Sequence, residues 1–305
     1  MMNRQKLTKR YRIDDPGKFR LADHDPADTR GIKMDKAKAR AVVADDIARL
    51  AELQDRLYAV DSWAMLVIFQ AMDAAGKDSA IKHVMSGVNP QGCEVHAFKQ
   101  PTPEDLDHDF LWRAAMHLPR RGRIGIFNRS YYEEMLVVRV HPGLLERERL
   151  PPSLLRHHVW TERFQAVNAF ERHLARSGMV ILKFFLNVSK EEQKRRFLER
   201  LDNPAKRWKF SANDVTEREL WPRYMEAYED MIRATSTVEA PWYVVPADVK
   251  PFTWLIVAGA MVDALEKLDL AYPEVGPERL EEMRRIRKAL EQESSDAGEA
   301  PIRRP

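Results

Sequence analysis

Residues 64–84 read AMLVIFQAMDAAGKDSAIKHV, and this stretch decides the fold. The run Ala64–Phe69 is short, apolar and followed by a glycine-containing loop, the pattern of a strand buried on both faces. The loop, Gln70–Gly76, leads through Lys77 into a segment with helical spacing. A strand, a loop of small residues, a lysine and a helix are what phosphate binding requires. Backbone N–H groups converge on the anion, the helix N-terminus adds partial positive charge, and the ammonium supplies a full one. On that reading Ala74, Ala75, Gly76, Lys77 and Asp78 cradle phosphates. The strict pattern G-x4-G-K-[ST] is not met, because Ala71 stands where the first glycine belongs and Asp78 where a hydroxyl would hold Mg²⁺. The pattern alone therefore leaves open an ordinary turn with a surface lysine, and the position after the first strand favours the phosphate loop. Asp73 also has two readings. A carboxylate beside a polyanion is repulsive unless a cation lies between them, which makes Asp73 a Mg²⁺ ligand or a group that orients the attacking phosphate. Otherwise it is a turn-forming residue.

Working outward, Glu94–Phe98, Ile124–Phe127, Met179–Leu186 and Trp242–Val245 read as further buried strands. Between and around them lie stretches with helical spacing at Asp35–Ala59, Ala80–Met85, Leu106–Leu118, Leu154–Arg176, Glu191–Leu201, Glu217–Ala234 and Phe252–Leu268. The alternation predicts an α/β fold, a five-stranded parallel sheet with helices on both faces. Ligands bind beyond the carboxyl ends of such strands, so the segments after Phe69, Phe98, Phe127 and Leu186 are the places for chemistry. Residues 1–34 are polar, carry Pro16 and Pro26, and read as an extended N-terminal arm. Residues 35–270 form the catalytic domain. Residues 271–305 form a charged C-terminal helix and tail, the helix over Glu278–Leu290.

The 50 Lys+Arg against 47 Asp+Glu leave a net charge of +3, which by itself announces neither a nucleic acid nor a membrane as partner. The single cysteine, Cys93, excludes a disulfide framework and a cysteine-based zinc site, and reads as a small core residue. No run approaches the ~18 apolar residues of a membrane span, and the first thirty residues lack an apolar targeting core. A cytoplasmic protein is expected.

Local charge says more than the total. Basic clusters fall at Lys77, Lys82 and His83; at Arg120, Arg121 and Arg123; at Lys194, Arg195, Arg196 and Arg200; and at Lys206, Arg207 and Lys209. Each alone is an ordinary solvated face. Arg196 and Arg200 share a helix face at i,i+4, and Lys206–Lys209 follow Asn203-Pro204, so that cluster begins in a loop able to fold over a substrate. Arg120–Arg123 precede a strand and belong to the opposite edge of the sheet. Trp208 is read as a packing anchor with Phe210 rather than a base-stacking residue. The histidines His108, His117, His157 and His158 lack metal-ligand spacing.

Residues 71–92 (AMDAAGKDSAIKHVMSGVNPQG), 125–134 (GIFNRSYYEE), 199–211 (ERLDNPAKRWKFS) and 221–232 (WPRYMEAYEDMI) together resemble the family-2 polyphosphate kinases. The resemblance covers roughly residues 35–270, and Asn128-Arg129-Ser130-Tyr131-Tyr132-Glu133 is similar to the class III subgroup. It implies a three-layer α/β/α P-loop kinase fold with a helical lid at about residues 195–215. It also implies Mg²⁺-dependent, reversible phosphoryl transfer from inorganic polyphosphate to AMP and ADP, giving ADP and ATP, in a homo-oligomer, a dimer or tetramer. By the same resemblance Asp73 and Lys77 are essential, and Arg129 contacts phosphate. Asn128, where other classes carry Asp, lies at the nucleotide with Glu133, a position that varies between classes and bears on the nucleotide accepted. Arg196, Lys206, Arg207 and Lys209 match basic lid positions, and with Lys82 they complete the expected polyphosphate path.

Polyphosphate offers charge on every unit and no apolar surface, so only cations and N–H donors can hold it, as with a nucleic-acid backbone. Phosphoryl transfer asks mainly for placement and charge neutralisation. Direct in-line transfer follows, with Lys77, Asp73 acting through Mg²⁺, and Arg129 as catalytic residues. The competing expectations are an ATP-dependent nucleotide or small-molecule kinase on the same fold, and a non-catalytic polyanion- or RNA-binding module.

Overall fold

A computed structural model describes residues 4–30, 36–155 and 158–296, the side chains of 36–40, 42, 209, 212 and 294–296 excepted. In chain order the elements are α1 (Arg4–Lys9), α2 (Lys36–Val60), β1 (Ala64–Gln70), α3 (Lys77–Val84), β2 (Cys93–Ala97), α4 (Pro103–Asp107), α5 (Trp112–Ala115) and β3 (Ile124–Asn128). They continue with α6 (Glu133–Val140), α7 (Gly143–Glu146), α8 (Val159–Arg176), β4 (Met179–Asn187), α9 (Lys190–Asp202), α10 (Ala212–Glu219), α11 (Trp221–Thr235), β5 (Trp242–Pro246), α12 (Lys250–Glu266) and α13 (Pro277–Asp296). Contacts divide the chain into one unit of residues 1–270 and a second of residues 271–305, which holds α13.

The five strands form one parallel sheet in the order β2-β3-β1-β4-β5. β1 is buried at all seven positions, which is why its sequence is continuously apolar instead of alternating. α2, α3 and α12 pack together, and α6, α8 and α11 form the second helical group, as right-handed crossovers from a central first strand require. α12 is buried almost all round, as its unbroken apolar composition demands. β1 sends its chain into α3, while its neighbours β3 and β4 lead toward the other group. The carboxyl end of β1 is thus the point where the connections diverge and a crevice opens.

Several sequence expectations change on contact with the structure. β2 is an edge strand with three of five residues exposed, not a buried one, and Cys93 at its start is only half-buried. The helix expected over Leu106–Leu118 is two short pieces, α4 and α5. The helix expected over Glu217–Ala234 divides at Leu220, because Pro222 cannot continue the preceding hydrogen-bond ladder and instead starts α11. The helix expected from Leu154 begins at Val159, and His157 lies outside the described residues. The N-terminal arm holds more structure than its polar composition suggests. Tyr11 and Ile13, two residues apart, are buried and exchange backbone hydrogen bonds with Val244 and Trp242 (2.8 and 2.9 Å), so the arm covers the exposed edge of β5.

Candidate active site

The loop between β1 and α3 is shaped by two residues in left-handed conformation, Ala74 (φ 60°) and Gly76 (φ 113°). Gly76 caps α3 without any side-chain hydrogen bond, so the first-turn N–H groups of that helix face the crevice with no capping oxygen of their own. Lys77 is buried, and its ammonium donates back to the carbonyls of Ala71 (2.8 Å) and Met72 (3.4 Å). Burial, reinforced by the like charge of Arg129, pushes the Lys77 pKa down to about 8.

The register of β1 with β3 sets Phe69 beside Asn128, and the next N–H, that of Arg129, bonds to the Phe69 carbonyl at 3.0 Å. Arg129 is itself left-handed (φ 65°), a conformation non-glycine residues adopt only when held there. Its guanidinium bridges Asp73 (2.6 Å) and Glu133 (3.0 Å), which joins the phosphate loop to the start of α6. Burial works to raise the Asp73 pKa, but Lys77 and Arg129 overcome it and hold the carboxyl below the ordinary range. The Glu133 charge in turn raises the Arg129 pKa further. Asn128 donates to Asp78 at 2.9 Å, so the two positions that depart from the usual patterns meet each other.

The structure thus brings Asp73, Asn128, Arg129 and Glu133 together with the loop Ala74–Asp78. All of these but Ala75 and Glu133 line a cleft of about 570 Å³ whose other walls include Lys82, Arg196, Arg200 and Lys206, while Glu133 lines a neighbouring cavity. Arg196 lines the cleft and is also tied to the loop. It is largely buried, and its nitrogens donate to the carbonyls of Ala74, Ala75, Ala247 and Asp248 and to Glu192, so it braces the loop as well. Lys206 is exposed and paired with Glu199 (2.7 Å); Arg207 is exposed and donates to the Leu201 carbonyl. The side chain of Lys209 lies outside the described residues. Trp208 is a correction. It is 77% exposed, its indole N–H donates to the Ala205 carbonyl (3.1 Å), and it is Phe210 that meets Phe197 edge-on. Arg121 and Arg123 bind the Ser62 carbonyl and the Tyr58 ring, at the amino ends of the strands as expected.

Three residues escaped the sequence reading. Gln193 is buried and donates to the Asp73 carbonyl (2.9 Å), and it shares its helix face with Arg196 and Arg200 at spacings of three and four. Lys99 and Lys250 line the cleft just after β2 and β5. Lys99 falls in the segment after Phe98 that the strand-end rule singled out, whereas Lys250 follows β5, whose end was not among the segments named from the sequence.

A second cavity of about 640 Å³ shares Phe98, Lys99 and Arg129 with the cleft. Its walls mix apolar residues (Leu106, Val137, Val138, Leu144) with Arg113 and Glu134. Glu134 is buried, and burial with the nearby Glu148 charge raises its pKa to about 7. One cavity is therefore cationic and polar, the other partly apolar, and Arg129 stands at their boundary.

The profile of the Polyphosphate kinase 2 family matches residues 33–272. The chain belongs to the polyphosphate kinase 2 family. It is 46% identical over 284 residues to the ADP-polyphosphate phosphotransferase of Rhodopseudomonas palustris, covering 93% of this chain and 98% of that protein. It is also 46% identical over 266 residues to the AMP/ADP-polyphosphate phosphotransferase of Meiothermus ruber, covering 87% and 96%. The crystal structure of polyphosphate kinase 2 from Arthrobacter aurescens superimposes with a TM-score of 0.81 at 40% identity, covering 90% of this chain and 93% of that one. The family membership and the sheet together make the fold that of a P-loop-like kinase.

Proposed function

We propose that this kinase moves terminal phosphoryl groups from polyphosphate to AMP and ADP, reversibly and by direct in-line transfer. The observation that carries the reading is the junction at Arg129, one guanidinium shared by a cationic cleft and a partly apolar cavity. A polymer of phosphates fits the first, held by Lys77, Lys82, Lys206, Arg207, Lys209 and the N-terminal N–H groups of α3. A nucleoside, which has a flat apolar base, fits the second. The migrating group then passes Arg129, whose charge neutralises the equatorial oxygens, while Asp73 and Glu133 keep the guanidinium aimed. Glu133 faces the acceptor from the second cavity, Asn128 reaches the acceptor's phosphates from the cleft side of Arg129, and Arg196 and Gln193 hold the loop in shape. The segment from α9 to α10 acts as the lid. Phosphoenzyme chemistry is unnecessary, because placement and charge account for the transfer.

Phosphotransferases of this kind generally need a divalent metal. Among the described residues no group of three or more His, Cys, Asp or Glu could hold a metal ion. The donors present therefore fit an ion that takes most of its ligands from phosphates and water, the habit of Mg²⁺. Asp73 would hold it on the loop, and when bound it would supply charge neutralisation between phosphate oxygens.

The two relatives are named for different nucleotides, ADP in one and AMP with ADP in the other. We assign this kinase to the broader range, with Glu133 as the residue that sets it. A homo-oligomer, dimer or tetramer, is expected and is read by light scattering. No described helix is long and apolar enough to cross a membrane, and a cytoplasmic location is expected. Phosphorus NMR with polyphosphate as sole donor and AMP as acceptor tests the function. ADP and then ATP should appear; phosphorylation only when ATP is supplied would overturn the reading.

A further inference from the structure

Behind Arg129 lies a charged network that no step of the transfer uses. Lys183, in the middle of β4, is fully buried and bonds to Glu171 of α8 (2.6 Å), the Tyr132 hydroxyl (2.9 Å) and the Thr235 carbonyl (2.7 Å). Glu171, also buried, accepts from the hydroxyls of both Tyr131 and Tyr132, each at 2.8 Å. The ammonium also faces the rings of Tyr132 and Trp242. Burying a lysine and a glutamate this deeply is poorly rewarded in stability, since well-packed apolar residues of the same volume serve as well or better. Burial indeed lowers the Lys183 pKa, against the pull of Glu171.

What the network does hold is the turn Ser130-Tyr131-Tyr132, the residues immediately after Arg129. Arg129 sits in a left-handed conformation that its side chain disfavours. On its amino side the register of β3 and the bond to the Phe69 carbonyl fix it. On its carboxyl side Ser130 is pinned, its hydroxyl bonded to Gln70 (3.1 Å) and to the Tyr132 N–H (3.1 Å). Beyond Ser130, the two tyrosine hydroxyls converge on a single carboxylate oxygen of Glu171. Glu133, the partner of Arg129, is the next residue along.

We propose that Lys183 and Glu171 are positioning residues, which act through Tyr131 and Tyr132 to hold Arg129 and Glu133 in the geometry of transfer. The proposal rests on the role given to Arg129 above. Removal of the network should loosen the aim of the guanidinium more than the binding of either substrate, so kcat should fall while both KM values stay nearly constant.

The test uses the full chain with Lys183→Met/Glu171→Leu, which replaces the pair with apolar residues of similar size, and separately Tyr131→Phe/Tyr132→Phe, which removes only hydroxyls. Each is made with Arg129 and with Arg129→Ala, and kcat, both KM values and the melting temperature are measured. In the Arg129 background the expected result is a kcat lower by about tenfold or more, with KM changed less than about twofold and melting preserved in the Tyr→Phe variant. Glu171→Gln, which keeps an acceptor for the tyrosines, should recover part of the loss. In the Arg129→Ala background the network substitutions should cost almost nothing more, because residues that act as one unit are not additive. Normal kcat in the Tyr→Phe variant, or a full additional loss on top of Arg129→Ala, overturns the proposal. Normal activity of Arg129→Ala alone would instead overturn the role of Arg129, so the two failures are distinct.

Discussion

Lys77 offers a test in which stability and catalysis move in opposite directions. Its ammonium is buried against loop carbonyls and near Arg129, and its pKa falls from the ordinary 10.5 to about 8. The unfolded chain therefore holds the proton more tightly than the folded one. Between pH 8 and 10.5 the unfolded state binds more protons, so stability rises with pH across that window. Below pH 8 both states are protonated and the folded state carries the full penalty, about 3 kcal/mol at 1.36 kcal/mol per pH unit. Lys77→Met removes the charge at nearly constant volume. The variant should be more stable than the parent at pH 7 by up to about 3 kcal/mol, and the gain should shrink toward zero as pH approaches 10.5. Urea unfolding of both proteins at pH 7, 8, 9 and 10.5 measures this, and other titrating groups cancel in the difference. The same variant should lose transfer activity, because the charge that costs stability is the one a polyanion restores. Polyphosphate binding by the parent should accordingly take up protons above pH 8, seen calorimetrically as a dependence of heat on buffer ionisation. A stability difference that is flat with pH, or of the opposite sign at pH 7, would refute the reasoning.

Lys77→Ala and Asp73→Asn should each lower kcat by roughly 100-fold with melting temperatures within a few degrees of the parent, and near-normal turnover in either would remove the loop from the mechanism. Glu133→Gln should shift the AMP/ADP ratio of kcat/KM toward ADP by roughly tenfold, since it lifts a negative charge that penalises the more highly charged acceptor; steady-state kinetics with both nucleotides decide it. The triple alanine variant of Lys206, Arg207 and Lys209 should raise KM for polyphosphate, more for long chains than short. It should also flatten the salt dependence by about 0.7 in slope per lost contact, by analogy with single-stranded nucleic acids. An equal defect at both chain lengths and two salt concentrations would mean that the cluster is only a solvated surface. Gly76→Ala should cost roughly 1–2 kcal/mol through its left-handed backbone, because the new methyl would meet Arg196 at an ordinary 3.6 Å. The melting temperature reads that cost directly, and an unchanged value would show that the loop can adopt another conformation.

Much of the architecture was legible because it is written locally. The continuous apolar run of β1, the small loop residues and Lys77 sit within twenty-one consecutive positions, and hydrophobic periodicity placed the five strands to within a residue or two. The catalytic candidates Asp73, Lys77 and Arg129 followed from the strand-end rule together with the family likeness of their motifs. What depends on distant pairing was not legible. That Arg196 braces the loop whose cleft it lines follows from its meeting the Ala74 and Ala75 carbonyls, more than 120 positions away, which its helical spacing does not show. Trp208 carries the composition of a core residue and is nonetheless 77% exposed, an outcome set by how its turn packs and not by its residue type. Lys183 reads as a flaw in an apolar strand until Glu171, Tyr132 and Thr235 surround it. Sequence alone determined the strand order along the chain, the phosphate loop and the class of chemistry, since each rests on residues adjacent in the chain. Tertiary structure alone decided which cations face the cleft, which are consumed by carbonyls, and what holds Arg129 in place. A side chain's charge is a property of its own residue, but its partners are set by the packing of segments that the chain keeps far apart.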